Sequence, residues 1–261
     1  MTRPDDVSGL AARLVHRGAW VEQVPLTKIE PLDAAPLAVA LAALPGTAWF
    51  CATSANAVRV VADHLAASAP ATSAWRTTSA LAQQLDAAGV RVAAVGDATA
   101  RALDALGVHV DIVATQQDAD GLADALVAHG VTPGARVFFP AAEAARSELP
   151  DRLRAVGAVV TVCAVYRSVP VVAAQAALGA LIARSAVDLV TVTAPSVVRG
   201  VLAALSSAQV GAGCMPVASI GPVTTAAAVA AGLTVACEAD PHSSEGLVAA
   251  IERWCAQAVR T

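Results

Sequence analysis

Small hydroxyl and amide residues recur at one kind of place in this sequence. They follow a short apolar run and open a stretch with helical spacing. Thr53, Ser54 and Asn56 form one group, Asp97 and Thr99 a second, Thr193 and Ser196 a third, and Thr224 and Thr225 a fourth. Such junctions set side-chain oxygens beside free backbone N–H groups and the positive end of a helix dipole. Together these hold carboxylates or phosphates without any Lys or Arg. Any one of these residues alone reads as an ordinary helix cap; their return in matched positions favours a ligand. Tyr166 is the only tyrosine. It closes the apolar run from Val159 and precedes Arg167-Ser168-Val169-Pro170, where a phenol can donate a proton or a hydrogen bond. Arg146, expected on the helix after Phe138-Phe139-Pro140, could grip a carboxylate with two parallel bonds. A solvated side chain is the plain alternative for both.

Other chemistries lack their residues. There is no G-x-G-x-x-G, no G-x-x-x-x-G-K-[ST] and no G-x-S-x-G, so dinucleotide, phosphate-loop and serine-hydrolase readings have no motif. His16, His64, His109, His129 and His242 show no metal-ligand spacing. Cys51, Cys163, Cys214, Cys237 and Cys255 are odd in number and far apart, without a C-x-x-C. That excludes a zinc ribbon and a disulfide framework and points to a reducing, cytoplasmic setting. The net charge of −4 gives no global positive field for nucleic acid or an anionic membrane. Hydrophobic residues make up 56% of the 261, which rules out disorder and allows a large core. No run approaches the ~20 apolar residues of a membrane helix, and the opening Met1-Thr2-Arg3-Pro4-Asp5-Asp6 does not read as a signal peptide.

Strands alternating with helices must position the candidate groups. Strands are expected at Trp20–Pro25, Ala48–Ala52, Val90–Val95, Val108–Val113, Ala135–Phe139, Val159–Tyr166, Leu189–Val192, Val217–Ile220 and Thr234–Ala236. Ser54, Asp97, Asp120 and Ser243 or Ser244 are the expected helix N-caps. Gly18, Gly89, Gly107, Gly130, Gly157 and Gly232 are the expected helix ends. Continuous apolar strands between helices argue for parallel sheets covered on both faces.

The chain also repeats itself weakly. Val95-Gly96-Asp97-Ala98-Thr99 resembles Ile220-Gly221-Pro222-Val223-Thr224, and Gly121-Leu122 follows the first at the same distance as Gly246-Leu247 follows the second. Thr53-Ser54-Ala55-Asn56-Ala57-Val58-Arg59 resembles Thr193-Ala194-Pro195-Ser196-Val197-Val198-Arg199, and Gly18-Ala19-Trp20-Val21 resembles Gly157-Ala158-Val159-Val160. A tandem of two units accounts for this. So does an interleaved arrangement, in which the N-terminal segment joins the C-terminal part and Pro25–Pro36 and Ser168–Val172 are the crossings.

The ordered set resembles the uroporphyrinogen-III synthase family. The pieces that carry the resemblance are Thr2-Arg3-Pro4, Thr53-Ser54-Ala55-Asn56-Ala57-Val58, Val95-Gly96-Asp97-Ala98-Thr99-Ala100, Val165-Tyr166-Arg167, Thr193-Ala194-Pro195-Ser196, Ile220-Gly221-Pro222-Val223-Thr224 and Gly246-Leu247. They run in the family's order over nearly the whole chain. The resemblance implies an α/β fold: two similar domains with parallel sheets flanked by helices, joined by a two-stranded linker. It selects the interleaved solution, with residues 1–28 plus 170–261 in one domain, 34–166 in the other and linkers at about 29–33 and 167–169. It places the active cleft between the domains.

The implied reaction closes hydroxymethylbilane, a linear tetrapyrrole with acetate and propionate arms, to uroporphyrinogen III. Water is lost and ring D is inverted through a spiro intermediate, without cofactor or metal. Tyr166 is then the catalytic candidate, assisting loss of the hydroxyl. Thr53, Ser54, Asn56, Thr99, Arg146, Ser196 and Thr224 are candidates for holding substrate carboxylates. The resemblance further implies a cytoplasmic monomer that takes its substrate from hydroxymethylbilane synthase and binds neither nucleic acid nor membrane. Three departures stand out. The family's strand before Thr-Arg-Pro is not found here, Pro140-Ala141-Ala142 replaces a Pro-x-Gly turn, and Cys51-Ala52-Thr53 replaces a more usual Phe-Thr start. A non-catalytic ligand-binding or regulatory module of the same fold is the competing expectation.

Overall fold

The apolar runs that alternate side by side become strands, and the runs with helical spacing become helices that cover them. The computed structural model describes residues 9–68 and 79–258. It divides into two units. One gathers the described residues within Met1–Lys28 and Ser168–Thr261; the other is formed within Ile29–Arg167. Helix α1 (Leu10–His16) is the first element among the described residues and β1 (Thr27–Pro31) follows.

The Ile29–Arg167 unit contains α2 (Ala34–Ala42), β2 (Trp49–Ala52), α3 (Ala55–Ser68), α4 (Ala80–Ala88), β3 (Arg91–Ala94), α5 (Asp97–Asp104), β4 (Ile112–Val113), α6 (Ala119–Ala128), β5 (Arg136–Ala142), α7 (Glu148–Ala155) and most of β6 (Val159–Pro170). Its sheet has the order β1-β6-β5-β2-β3-β4. The pairs β6–β5, β5–β2, β2–β3 and β3–β4 are parallel. The amide of Leu32 donates to Val165 O and that of Val171 to Leu26 O. Residue numbers rise on one strand as they fall on the other, so β1 and the end of β6 run antiparallel.

Alternation along each strand splits the apolar residues between two cores. Phe50, Val92, Phe138 and Val165 face α3, α4 and α5. Trp49, Cys51, Ala93, Val137 and Phe139 face α6 and α7. Phe50 and Phe138 meet edge to face with ring centroids 5.7 Å apart. Arg91 lays its guanidinium 4.1 Å over the Trp49 ring. Both faces are dry, which is why these strands read as unbroken apolar runs.

The other unit continues with α8 (Val172–Ala183), β7 (Val190–Val192), α9 (Pro195–Ser207), β8 (Pro216–Ser219), α10 (Pro222–Ala230), β9 (Thr234–Glu238) and α11 (Ser244–Ala258). Its described sheet is β7-β8-β9, all parallel. Val190, Val192 and Val217 pack with α8, α9 and Leu26. Ala218 packs with Leu247, Val248 and Ile251 of α11 and with Leu10 and Leu14 of α1.

Several expectations need correction. Trp20–Pro25 is not a strand. Its Trp20 is 94% exposed while Val24 and the following Leu26 are buried, and Pro25 has no N–H for a ladder. The Val108–Val113 run pairs only at Ile112–Val113. The N-cap before α5 is Gly96, with no side-chain bond, and Asp97 opens the helix. The cap of α6 is Asp118, not Asp120. Pro140-Ala141-Ala142 is strand, paired with Cys163, Ala164 and Tyr166 of β6. Thr2-Arg3-Pro4, with the departure expected there, lies outside the described residues. The glycines expected at helix ends all carry positive φ.

Asp118 carries a prediction. Its Oδ1 accepts from the Gly121 amide at 2.8 Å, and that bond is the main cause holding its carboxyl below the usual aspartate range. A depressed pKa contributes stability above the ordinary aspartate range, and that stability is lost as pH falls through the folded value. Asp118→Ala is therefore expected to lower stability by about 1 kcal/mol at neutral pH. The deficit relative to wild type should shrink toward zero at acid pH, and urea titrations at several pH values measure it.

Candidate functional site

Every parallel strand ends on the same side of its sheet, so the strand-to-helix junctions of each unit share one rim. In the Ile29–Arg167 unit the chain leaves β2 for α3 on one face and leaves β5 for α7 on the other. β2 and β5 are neighbours. Two loops diverging from adjacent parallel strands leave a crevice beyond the strand ends, where open α/β sheets bind ligands.

Thr53, Ser54, Asn56 and Tyr166 of the sequence-selected residues lie at these strand ends. Thr53 and Ser54 follow β2, and Ser54 is the N-cap of α3. Its Oγ accepts from the amides of Asn56 at 3.2 Å and Ala57 at 3.5 Å. Tyr166 lies on β6 at the level where β5 ends, opposite Ala142. Its carbonyl accepts from Glu143 N at 2.8 Å. Its ring is buried, and its hydroxyl lies 3.0 Å from Ser54 Oγ. Asn56 Oδ1 accepts from Arg59 Nη2 at 2.7 Å. Tyr166 thus meets the first turn of α3, which holds Ser54 and Asn56.

The remaining candidates stand apart from that contact. Thr99 is buried in the first turn of α5, and its amide donates to Gly96 O at 3.1 Å. Arg146 is not on a helix but in the stretch between β5 and α7. Its guanidinium is 63% exposed and 3.9 Å from Glu148. The chain must reverse from β5 before α7 can start, and Arg146 falls in that reversal. Ser196 and Thr224 belong to the other unit, in the first turns of α9 and α10. Ser196 is half-buried and Thr224 is buried. Beside them Thr193 Oγ1 is buried without a hydrogen-bond partner.

Sequence reading missed a polar chain at the ends of β8 and β9. Thr225 Oγ1 donates to Glu238, and Ser219 Oγ lies 2.6 Å from Thr225 Oγ1. With Thr225's proton on the carboxylate, Ser219 is the donor to Thr225. His242 Nε2 stands 3.6 Å from Glu238. The signal was available in the repeat: His242 packs where a side chain at Gly221 would stand, as Gln117 does at Gly96. Gln117 and His242, which follow β4 and β9, thus pack against the glycines that follow β3 and β8.

Neither buried thiol on these strands is poised for chemistry. Burial pushes both Cys51 and Cys163 up, away from the thiolate form. Among the described residues no group of three or more His, Cys, Asp or Glu could hold a metal ion. No described helix is long and apolar enough to cross a membrane.

Fold and rim together define an α/β protein of two parallel-sheet units, with polar helix starts at the strand ends. The model of the family described as uroporphyrinogen-III synthase HemD matches residues 8–249. The uroporphyrinogen-III synthase of Synechococcus elongatus is 30% identical over 96% of this chain and 92% of its own length. The chain belongs to the uroporphyrinogen-III synthase family, a family of haem-biosynthesis enzymes. Solved structures carry the same fold. A mutant uroporphyrinogen III synthase of Thermus thermophilus aligns with a TM-score of 0.59 at 18% identity, covering 95% of this chain and 94% of that one. Uroporphyrinogen-III synthetase of Helicobacter pylori aligns at 0.55 and 19%, covering 88% and 91%.

Proposed function

We propose that this chain cyclises hydroxymethylbilane to uroporphyrinogen III as a hydro-lyase, with Tyr166 assisting departure of the hydroxyl. Family membership supports the reaction. The observation that carries the site is the contact between Tyr166 and Ser54 Oγ at 3.0 Å.

The bonding around Ser54 gives that contact a direction. Ser54 Oγ already accepts from Asn56 N and Ala57 N. Its own proton is then the one left to donate to the phenol oxygen. Tyr166 accepts from Ser54 and keeps its O–H for a ligand. In the reaction that O–H is donated to the substrate hydroxyl as the C–O bond breaks, and water leaves. The resulting cation on the linear tetrapyrrole needs no further acid. It needs the last ring held so that closure takes the inverted course, which is an orientation effect.

Carboxylate arms are met by the backbone N–H groups and polar side chains of the first turns. Thr53, Asn56 and Thr99 supply these in the unit that holds Tyr166, with Arg146 nearby on the chain after β5. Ser196 and Thr224 supply them at the strand ends of the other unit. On this reading the division Met1–Lys28 with Ser168–Thr261 against Ile29–Arg167 is the family's pair of domains. The same reading has the chain receive its substrate from hydroxymethylbilane synthase and act in the cytoplasm as a monomer without a cofactor. Its support there is the family alone.

The test is isomer analysis. Hydroxymethylbilane is generated in situ from porphobilinogen, the protein is added, and the oxidised products are separated into type I and type III porphyrin. Predominant type III is expected, because unaided closure gives type I. Type I alone from folded protein sinks the catalytic reading and leaves the non-catalytic module.

A further inference from the structure

Glu143 is the first residue beyond β5, and its amide donates to the carbonyl of Tyr166 at 2.8 Å. Ala145 N donates to Ala142 O at 3.0 Å, so Glu143 and Ala144 make a tight turn at the strand end. In the sheet β5 lies between β6 and β2. The phenol of Tyr166 therefore spans the end of β5 to meet Ser54 Oγ, and Glu143 leaves the sheet beside that span. We propose that Glu143 is a catalytic residue, whose carboxylate accepts a hydrogen bond from the pyrrole N–H of the ring that becomes cationic as the hydroxyl departs. This rests on the reading of Tyr166 and Ser54 as the place where water is lost.

Position is the first support: one backbone bond fixes Glu143 to the residue that carries the proton donor. The second is that its carboxylate is unengaged. Glu143 is exposed, and its side chain makes no hydrogen bond or ion pair with a described residue. Other acids that follow β3, β4 and β5 are taken. Gln117 Nε2 donates to Asp97 at 3.1 Å, Gly121 N to Asp118 at 2.8 Å and Arg152 Nη1 to Asp120 at 3.0 Å, while Arg146 lies 3.9 Å from Glu148. The third is the sign of the charge. A free carboxylate repels the acid arms of the substrate and opposes binding. It favours the reaction only where positive charge develops, and an interaction of that kind stabilises the transition state above the ground state.

The step balances without another reactant. Tyr166 gives its proton to the departing oxygen, the C–O electron pair leaves with the water, and the pyrrole nitrogen supplies electrons to the carbon left behind. The positive charge is then shared with that N–H, the donor to Glu143. Glu143 takes no proton. Ring closure releases one, and it restores the phenol.

The experiment compares wild type, Glu143→Gln and Glu143→Asp for kcat and KM with purified hydroxymethylbilane, product isomer and thermal unfolding. Glu143→Gln should lower kcat by about 10-fold. That is less than the roughly 100- to 1,000-fold of an enclosed electrostatic contact, because water screens an exposed one. Its KM should stay at or below wild type, since the removed charge opposed the substrate's arms. Glu143→Asp keeps the charge on a shorter arm and should fall between. Both Tm values should match wild type, because each variant keeps the amide bond to Tyr166 and loses no side-chain contact. Wild-type kcat in Glu143→Gln overturns the proposal. So does a raised KM with kcat unchanged, the mark of a contact common to ground and transition states. So does a lowered Tm with equal loss of kcat in both variants, the pattern of a structural residue. Type III product from wild type with an unchanged Glu143→Gln leaves the Tyr166 site intact and removes Glu143 from it. Type I alone from wild type removes both.

Discussion

Tyr166→Phe is expected to lower kcat by about 10- to 100-fold, at the lower end of what a positioned proton donor contributes. The lower end applies because the substrate also closes unaided, so the enzyme adds orientation to a reaction that has its own driving force. Stability should change by about 1 kcal/mol at most, the ordinary net value of one hydrogen bond. The ring stays in its buried place beside Val165 in the core, and Ser54 Oγ keeps its bonds from Asn56 and Ala57. The helix cap therefore survives the substitution. A KM close to wild type would complete the signature of an interaction made in the transition state. Single-turnover kinetics with purified hydroxymethylbilane, beside a thermal melt, measure all three quantities. Wild-type kcat in this variant would exclude the phenol from the proton step.

Gly246→Ala is expected to destabilise by about 3 kcal/mol, at the upper end for a forced overpacking. In an open helix the same change stabilises by roughly 1 kcal/mol, so the sign itself is the test. Gly246 sits in the first turn of α11. A Cβ there would stand 1.9 Å from the carbonyl oxygen of Pro241 and 2.9 Å from Asp240 C. These are backbone atoms and cannot swing aside as a side chain would. The loop from β9 is pinned at that spot: Ser243 Oγ accepts from Gly246 N at 3.1 Å, and Leu247 and Val248 are buried against Ala218. A drop in Tm of about 6–12 °C is expected. Gly121→Ala should act the same way through Gln116 O, 2.2 Å from its added Cβ. Gly130→Ala is the comparison. Nothing lies within 4 Å of its Cβ, so only its φ of +96° resists, at about 1–2 kcal/mol. Equal effects at Gly246 and Gly130 would show that the loop yields.

Four glycines also explain the internal repeat. Gly96 and Gly221 make room for Gln117 and His242, and Gly121 and Gly246 make room for Gln116 and Pro241. The repeated letters mark two close crossings of a loop over a helix start. They were visible in the sequence because a glycine forced by contact leaves a fixed letter at a fixed spacing.

What the sequence determined by itself was local. The unbroken apolar run Trp49-Phe50-Cys51-Ala52 told that both faces of the strand are buried. Ser54 before Ala55 told where α3 starts, and the glycines at positive φ told where helices stop. Each depends on a few adjacent residues, and so does the physics behind it. Trp20–Pro25 failed as a strand because β-forming residues need a neighbouring ladder, which lies elsewhere in the chain. The meeting of Tyr166 with Ser54 joins residues 112 positions apart. It exists because β6 pairs with β5 and β5 with β2, an order that no local spacing encodes.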